Sequence, residues 1–259
     1  MPFYSVDPIR YFAFESLVLP GVKQAVLTRH GGVSAQPWDR LNFGRTTGDR
    51  PEDVLENKQR GLHALGLEPE SVYDVWQVHS NHVVEAEKPR GNAPPIKADA
   101  IITRRSGITL LMRFADCVPV LLADPVTGAV GIAHAGWQGT VKDVVGAVVQ
   151  CMKARFETRP ADLIAGIGPS ICQDHYQVGE NVISAVEACF GKTAARHLEV
   201  RETGTYFNLW SANRELLERA GVGSVEVAGM CTACHPEDWY SHRQSGGKTG
   251  RFAALIGLA

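Results

Sequence analysis

The stretch from Gly107 to Phe156 (GITLLMRFADCVPVLLADPVTGAVGIAHAGWQGTVKDVVGAVVQCMKARF) constrains the fold more than any other part of the chain. It reads as a strand, a sharp turn holding Asp116 and Cys117, a second strand, a hairpin, a third strand ending at His134, a glycine-rich turn and a helix. Asp124-Pro125-Val126-Thr127-Gly128 places turn residues between two apolar runs, Val118–Ala123 and Ala129–Ala133, and predicts an antiparallel hairpin. The start of one strand then lies beside the end of the next. Cys117 and His134 fall there, where cross-strand side chains sit roughly 5 Å apart. Strand ends and the loops after them are where a rigid scaffold presents reactive groups.

The flanking chain reads as one domain, residues 1–259, with strands and helices interspersed and no internal repeat. Residues 1–20 carry scattered aromatics and predict an edge segment packed on the core. Val22–Thr28 predicts a strand leading into Arg29-His30-Gly31-Gly32, where Arg29 is a candidate anion contact beside its blander reading as a solvated loop arginine. Asp49 is the expected cap of a helix with Pro51 in its first turn and Gly66 as its stop, and Leu55, Leu62 and Leu65 are spaced for one face. Val72–Val84 predicts an extended strand in which Gln77 and His79 share a face opposite Trp76 and Val78. Asp99–Thr103 and Ile108–Phe114 predict a pair of strands, and Thr140 the cap of a helix over Val141–Phe156. Further along, the pattern predicts a strand at Ala161–Ile167, helices at Glu180–Phe190 and Ser211–Ala220, extended segments at His197–Glu202 and Tyr206–Leu209, and strands at Val225–Ala228 and Phe252–Leu258.

Charge and composition exclude several function classes. A formal charge of −2 over 259 residues gives no basic footprint for nucleic acid and no polybasic membrane patch. The apolar runs are far too short to span a bilayer. The first residues, MPFYSVDPIRYFAF, lack the basic start and apolar core of an export signal, so a cytoplasmic location and six reduced cysteines are expected. No stretch advertises a large exposed apolar face, and a monomer is expected.

Two short motifs invite stronger readings and do not support them. Cys231-Thr232-Ala233-Cys234-His235 matches a haem-attachment pattern, but that chemistry needs export. A zinc ribbon would need a second C-x-x-C, which is absent, and the nucleobase deaminase signature needs P-C-x-x-C, whereas Met230 stands where the proline would be. Two thiols on a strand-end loop is the preferred reading. Gly246-Gly247-Lys248-Thr249-Gly250 lacks the upstream glycine of a P-loop, and a strand follows where a helix is required. Arg243, Lys248 and Arg251 remain anion-contact candidates.

The constellation that survives is His79, Cys117 and His134. One thiolate and two imidazoles suit a zinc-type ion, and three protein ligands leave a fourth position for water. From spacing alone a metal site, a Cys–His nucleophile pair and coincidence stay equally open.

At this point QVHS (77–80), ADCVPVLLAD (115–124), AHAGWQG (133–139), GIGPSI (166–171) and SHRQSGGKTGR (241–251) are read together, with TRHGGVS, LNFG and the run from Gly48 to Asn57. The chain resembles the YfiH/DUF152 family, also called the polyphenol oxidase or laccase-domain family, which includes the peptidoglycan editing factor PgeF. The resemblance runs through nearly the whole sequence in order. It implies an α+β fold, a single-domain four-layer α-β-β-α sandwich resembling the catalytic domain of cytotoxic necrotizing factors. It implies zinc held by His79, Cys117 and His134, with copper in older assignments. The implied activities are purine nucleoside phosphorylase, adenosine deaminase and methylthioadenosine phosphorylase, so purine nucleosides and phosphate are the expected small-molecule partners. Asp116 is then the candidate proton carrier beside the catalytic set, and Arg29, Asn42, Lys58, Gln77 and Arg243 are candidate substrate contacts. The alternative within the family is an amidase using Cys117 as nucleophile to remove L-Ser from UDP-MurNAc-L-Ser, and a copper polyphenol oxidase is the third. Three positions depart from the family pattern: Phe114 stands before Ala115-Asp116-Cys117 in place of threonine, Gln138 after Trp137 in place of arginine, and Lys58 after Asn57 in place of arginine. A lysine cannot make the bidentate contact an arginine makes.

Overall fold

The structure is a computed structural model describing residues 3–259. The first two residues of the expected edge segment lie outside that range. In chain order, β1 (Phe3–Val6), β2 (Ile9–Phe12) and β3 (Val22–Leu27) precede α1 (Pro51–His63), β4 (Val72–Asp74) and β5 (Val83–Glu85). The central block supplies β6 (Ala100–Thr103), β7 (Thr109–Phe114), β8 (Val118–Asp124), β9 (Ala129–Ala135), α2 (Trp137–Val141) and α3 (Val144–Phe156). Then come β10 (Ile164–Ile167), β11 (Gln177–Val178), α4 (Glu180–Phe190), β12 (Leu198–Arg201), β13 (Gly204–Phe207), α5 (Leu209–Arg219), β14 (Ser224–Val227) and β15 (Phe252–Leu258). The result is a mixed α/β fold. One six-stranded sheet runs β1-β2-β3-β15-β7-β4, a second runs β14-β10-β8-β9-β6-β5, and a small third runs β11-β13-β12.

Strand alternation sorts the apolar residues into separate cores. In β15, Phe252, Ala254 and Ile256 enter a core shared with Leu121, Ala123, Val130 and Ile132 of the second sheet. Ala253 and Leu255 face the other way, onto Leu62 of α1 and onto Leu41 and Phe43. Val118, Val120 and Leu122 of β8 turn to a third core with Val148 and Met152 of α3, Val186 of α4 and Leu216 of α5. Burial on both faces explains why β8 and β9 read as continuous apolar runs and not as alternating ones.

The hairpin forms as expected. Asp124 accepts from the N–H groups of Val126 (2.8 Å) and Thr127 (3.1 Å), and Gly128 takes φ +70° to close the turn. In its register Pro119 opposes His134. Proline has no N–H, so it cannot supply a ladder bond at that position. At this pair the backbone groups face away from the partner strand: the Pro119 carbonyl accepts from the Gly168 N–H and the His134 N–H donates to the Asp99 carbonyl, each at 2.8 Å. His134 is thereby pinned between the hairpin and the residue that opens β6.

Several local expectations are corrected. Residues 72–84 are not one strand: β4 and β5 belong to different sheets and a loop carries His79 between them. β6 and β7 likewise sit in opposing sheets and do not pair. Asp49 does not cap α1; its carboxylate accepts from Ser34 and Asn42, while Arg50 occupies the cap position with no side-chain capping bond. Leu55 is 57% exposed, and Val54, Asn57, Gly61 and Leu62 form the buried face of α1. The helix expected from Val141 is broken in two. Asp143, at φ +56°, restarts it and its side chain caps the Gly146 N–H at 3.0 Å. A Cβ on residue 146 would lie 2.2 Å from that carboxylate, so glycine is required for the cap to close.

Candidate active site

Two loops and a strand end deliver the central side chains. Cys117 follows Asp116, whose φ of +82° makes the sharp turn between β7 and β8. His134 is the penultimate residue of β9. His79 sits at φ +58° in the loop after β4, and its conformation is set by one buried carboxylate. Asp99 accepts the N–H groups of Val78 (3.1 Å), His79 (3.0 Å) and Ser80 (2.6 Å), and the Ser80 hydroxyl (2.7 Å). It also accepts Nδ1 of His134 at 2.9 Å. One aspartate therefore aims both histidines. Lys142 Nζ adds a bond to the His79 carbonyl at 2.8 Å.

The ligand atoms of His79, Cys117 and His134 all lie within 4.8 Å of one another. The two imidazole rings are 5.0 Å apart, and Phe114 packs on His134 with ring centroids 5.4 Å apart. Space for this convergence depends on Gly136, where a Cβ would stand 2.7 Å from the Cys117 sulfur and 3.2 Å from the His79 ring. Burial pushes the Cys117 thiol up, but the charges and hydrogen bonds of His134 and His79 outweigh it and bring it down to about 6. Burial lowers His134, and Cys117 and Asp99 together lift it to about 9. Despite burial, the bonds from His134 and Ser80 hold Asp99 well below the usual carboxylate range.

Asp116 lies at the rim with both oxygens engaged. Oδ1 accepts the Thr232 hydroxyl and Oδ2 the Arg243 N–H, each at 2.6 Å. The Arg243 guanidinium donates to the carbonyl of Gln177 at 2.9 Å and lies over the Tyr176 ring. Burial first, then the charge of Cys117, pushes the Tyr176 phenol upward. Arg251 is half-buried within electrostatic reach of both Cys117 and Asp116, although burial outweighs them and lowers it.

Of the other expected contacts, Gln77, Asn42 and Arg29 are hydrogen-bonded to the scaffold. Gln77 bonds the backbone of Arg113 at both ends of its amide, with Nε2 at 2.8 Å and Oε1 at 2.9 Å, extending the β7 edge with a side chain. Asn42 is fully buried, donating to Asp49 and accepting from Gly44 and Arg251. Arg29 donates to the carbonyls of Asp39 and Pro236, stacks over Tyr240 and lines a separate cavity of about 140 Å³. Lys58 is half-buried, which lowers its ammonium, beside Asp74 and Arg113. Asp99 was legible only as the start of a strand, because its role depends on a loop twenty residues upstream folding back onto it.

A family model described as "Multi-copper polyphenol oxidoreductase laccase" matches residues 23–259. The chain belongs to this family. The structure of the Bacillus licheniformis hypothetical protein YfiH is 31% identical with a TM-score of 0.91, covering 100% of this chain and 99% of that one. YlmD from Geobacillus stearothermophilus is 31% identical with a TM-score of 0.92, covering 99% and 98%. The resemblance to YfiH/DUF152 is thus borne out. A Deinococcus radiodurans protein named purine nucleoside phosphorylase is 41% identical over 92% of this chain and 89% of its own length. Purine nucleoside phosphorylase YlmD of Bacillus subtilis is 35% identical over 89% and 86%. These names support purine nucleoside processing as a role within the family. Among the described residues no helix is long and apolar enough to cross a membrane.

Proposed function

We propose that this protein phosphorolyses purine nucleosides (adenosine, inosine and methylthioadenosine) to the free base and (methylthio)ribose 1-phosphate, and deaminates adenosine to inosine at the same centre. The observation that carries the reading is the convergence of His79, Cys117 and His134 behind Gly136, in a family whose relatives bear that name. The donor set fits zinc: a thiolate and two imidazoles are its preferred ligands, and His134 gives Nδ1 to Asp99 so that Nε2 is the atom left to bind metal. Bound there, zinc supplies a Lewis acid and lowers the pKa of water to about 7.

The chain's own groups do the positioning. Asp99 fixes the ring and tautomer of His134 and the path of the His79 loop. Arg251 Nη1 is committed to the carbonyls of Thr249 and Gly250, which leaves its other N–H groups for a phosphate. Lys58 makes no side-chain hydrogen bond among the described residues, and Arg243 keeps donors in reserve, so both stand as further contacts. Tyr176 holds its proton on Oη and offers it to substrate oxygen. Asp116, with both oxygens occupied, braces Thr232 and Arg243 at the rim, a positioning part in place of the proton transfer expected from sequence. In this reading the protein is a cytoplasmic monomer, and its three cores stack as the four-layer sandwich.

The test is mass-spectrometric product analysis of zinc-loaded protein with adenosine, with and without phosphate. Adenine and ribose 1-phosphate only when phosphate is present, and inosine in both, are expected; unchanged adenosine overturns the reading. The depressed Cys117 thiol favours one rival, a Cys–His amidase acting on UDP-MurNAc-L-Ser. Activity that survives a chelator but not alkylation of Cys117 would identify the amidase.

A further inference from the structure

Beyond the central hairpin the fold assembles a second set of soft donors. Cys172 and His175 flank a short turn after β10, and Cys231 and Cys234 flank the loop after β14. The spacings are C-x-x-H and C-x-x-C. The second half of a zinc-type pattern that the sequence seemed to lack is therefore supplied by a histidine pair-member from a distant loop. All six cysteines are free thiols.

The geometry is that of a tetrahedron's edges. Nδ1 of His175 lies 3.4 Å from the Cys172 sulfur, 3.7 Å from that of Cys231 and 3.5 Å from that of Cys234. All four donor atoms are within 4.8 Å of one another. An ion with bonds of about 2.3 Å to sulfur and about 2.0 Å to nitrogen separates such a pair by roughly 3.6 Å. Hydrogen bonding does not account for the set, because a single ring nitrogen makes one hydrogen bond and here faces three sulfurs. The Cys172 N–H points at the Cys231 sulfur at 3.3 Å, the kind of backbone donor that stabilises a metal thiolate.

We propose that Cys172, His175, Cys231 and Cys234 form a second, structural metal site for zinc. Four protein ligands close the coordination sphere, which marks a structural site and leaves no position for substrate. The site cross-links two loops that frame the central cluster. The Cys231 loop carries Thr232, which donates to Asp116, and the His175 loop offers the Gln177 carbonyl to Arg243. The brace therefore positions the rim beside Cys117 without touching it.

The test begins with metal analysis of the full-length protein loaded with zinc and desalted. Wild type is expected to hold two equivalents, and a His79→Ala/Cys117→Ser protein one. Adding Cys234→Ser to that protein should remove the remaining equivalent. Cobalt loading of the His79→Ala/Cys117→Ser protein should give thiolate-to-metal charge-transfer absorption that Cys234→Ser abolishes. Because these variants are at risk of misfolding, wild type alone gives a second readout. Cys234 is exposed, so its alkylation by iodoacetamide should be slowed at least about tenfold by zinc and restored by a chelator. Free alkylation of Cys234 in zinc-loaded wild type overturns the proposal, as does a Cys231–Cys234 disulfide in protein prepared anaerobically. The readouts are independent of nucleoside chemistry, so failure here leaves the proposed activity standing, and the reverse.

Discussion

Asp99 concentrates more of the site's order than either histidine it serves. It accepts hydrogen bonds from His134 Nδ1 and from three consecutive backbone N–H groups of the His79 loop. Asp99→Asn keeps the shape but offers fewer acceptors and no charge. Zinc affinity should fall about 10- to 100-fold, measured by competition with a chromophoric chelator, while the fold is retained. An unchanged affinity would show that the loop is held by other means. The thiol beside it makes a second prediction. In metal-free protein the alkylation rate of Cys117 should climb as pH rises through about 6 and level off above, because the imidazoles hold the thiolate. A midpoint near the ordinary cysteine value would contradict that ion-pair picture. Cys117 and His134 were legible because the hairpin turn and strand lengths fix them locally, whereas His79 was legible through the Gln77–Ser80 motif and not through the strand expected to carry it. Asp99, Cys172 and His175 were not, since each acquires meaning only from a partner brought by the tertiary fold.

Among the elements, those whose limits are written in local chemistry matched the sequence closely. The helix Glu180–Phe190 and the strand Phe252–Leu258 have the expected bounds, and the Asp124–Gly128 turn closes the expected hairpin. Pairing was less legible: the apolar runs that form β6 and β7 are adjacent in sequence, yet each finds its neighbours in a different sheet. Nothing in either run distinguishes one partner from another, because β strands of similar composition differ only in which distant edge is open. The helix break after α2 was missed for a different reason. Thr140 and Asp143 both satisfy a capping pattern, and the left-handed turn at Asp143 decides between them. Asp143→Ala should therefore destabilise by about 1 kcal/mol, and Asp143→Gly by less, because glycine accepts the positive φ. Thermal unfolding of the two variants compares them, and equal losses would deny the strain.

Across the whole molecule the sheets are joined by apolar burial, and a buried charge cluster ties the edge of the first sheet to the loop beyond β5. Asp74 on β4 accepts from Arg113 on β7 and from Arg90 in the loop beyond β5, and all three side chains are largely buried. Burial raises Asp74, but the two arginines together hold its carboxyl below the usual range. A depressed carboxyl contributes stability that is fully present above its unfolded value and lost as pH falls through the folded one. Stability should thus decline below the ordinary carboxylate range of about 4, and Asp74→Ala should flatten that decline. The same substitution should cost about 3–5 kcal/mol at neutral pH, because it leaves two cations without their partner. Denaturant unfolding across pH measures both, and a wild-type slope in the variant would assign the acid loss elsewhere.

The order of the first sheet has a consequence for how the chain is made. β15 lies between β3 and β7, so two strands translated before it flank a space that only Phe252–Leu258 fills. While the ribosome is still adding the preceding segment, Val22–Leu27 and Thr109–Phe114 present bare edges with nothing between them. Such edges are templates for pairing with other chains. The nascent protein is therefore exposed to misassembly until Phe252–Leu258 has emerged and filled the gap between those edges.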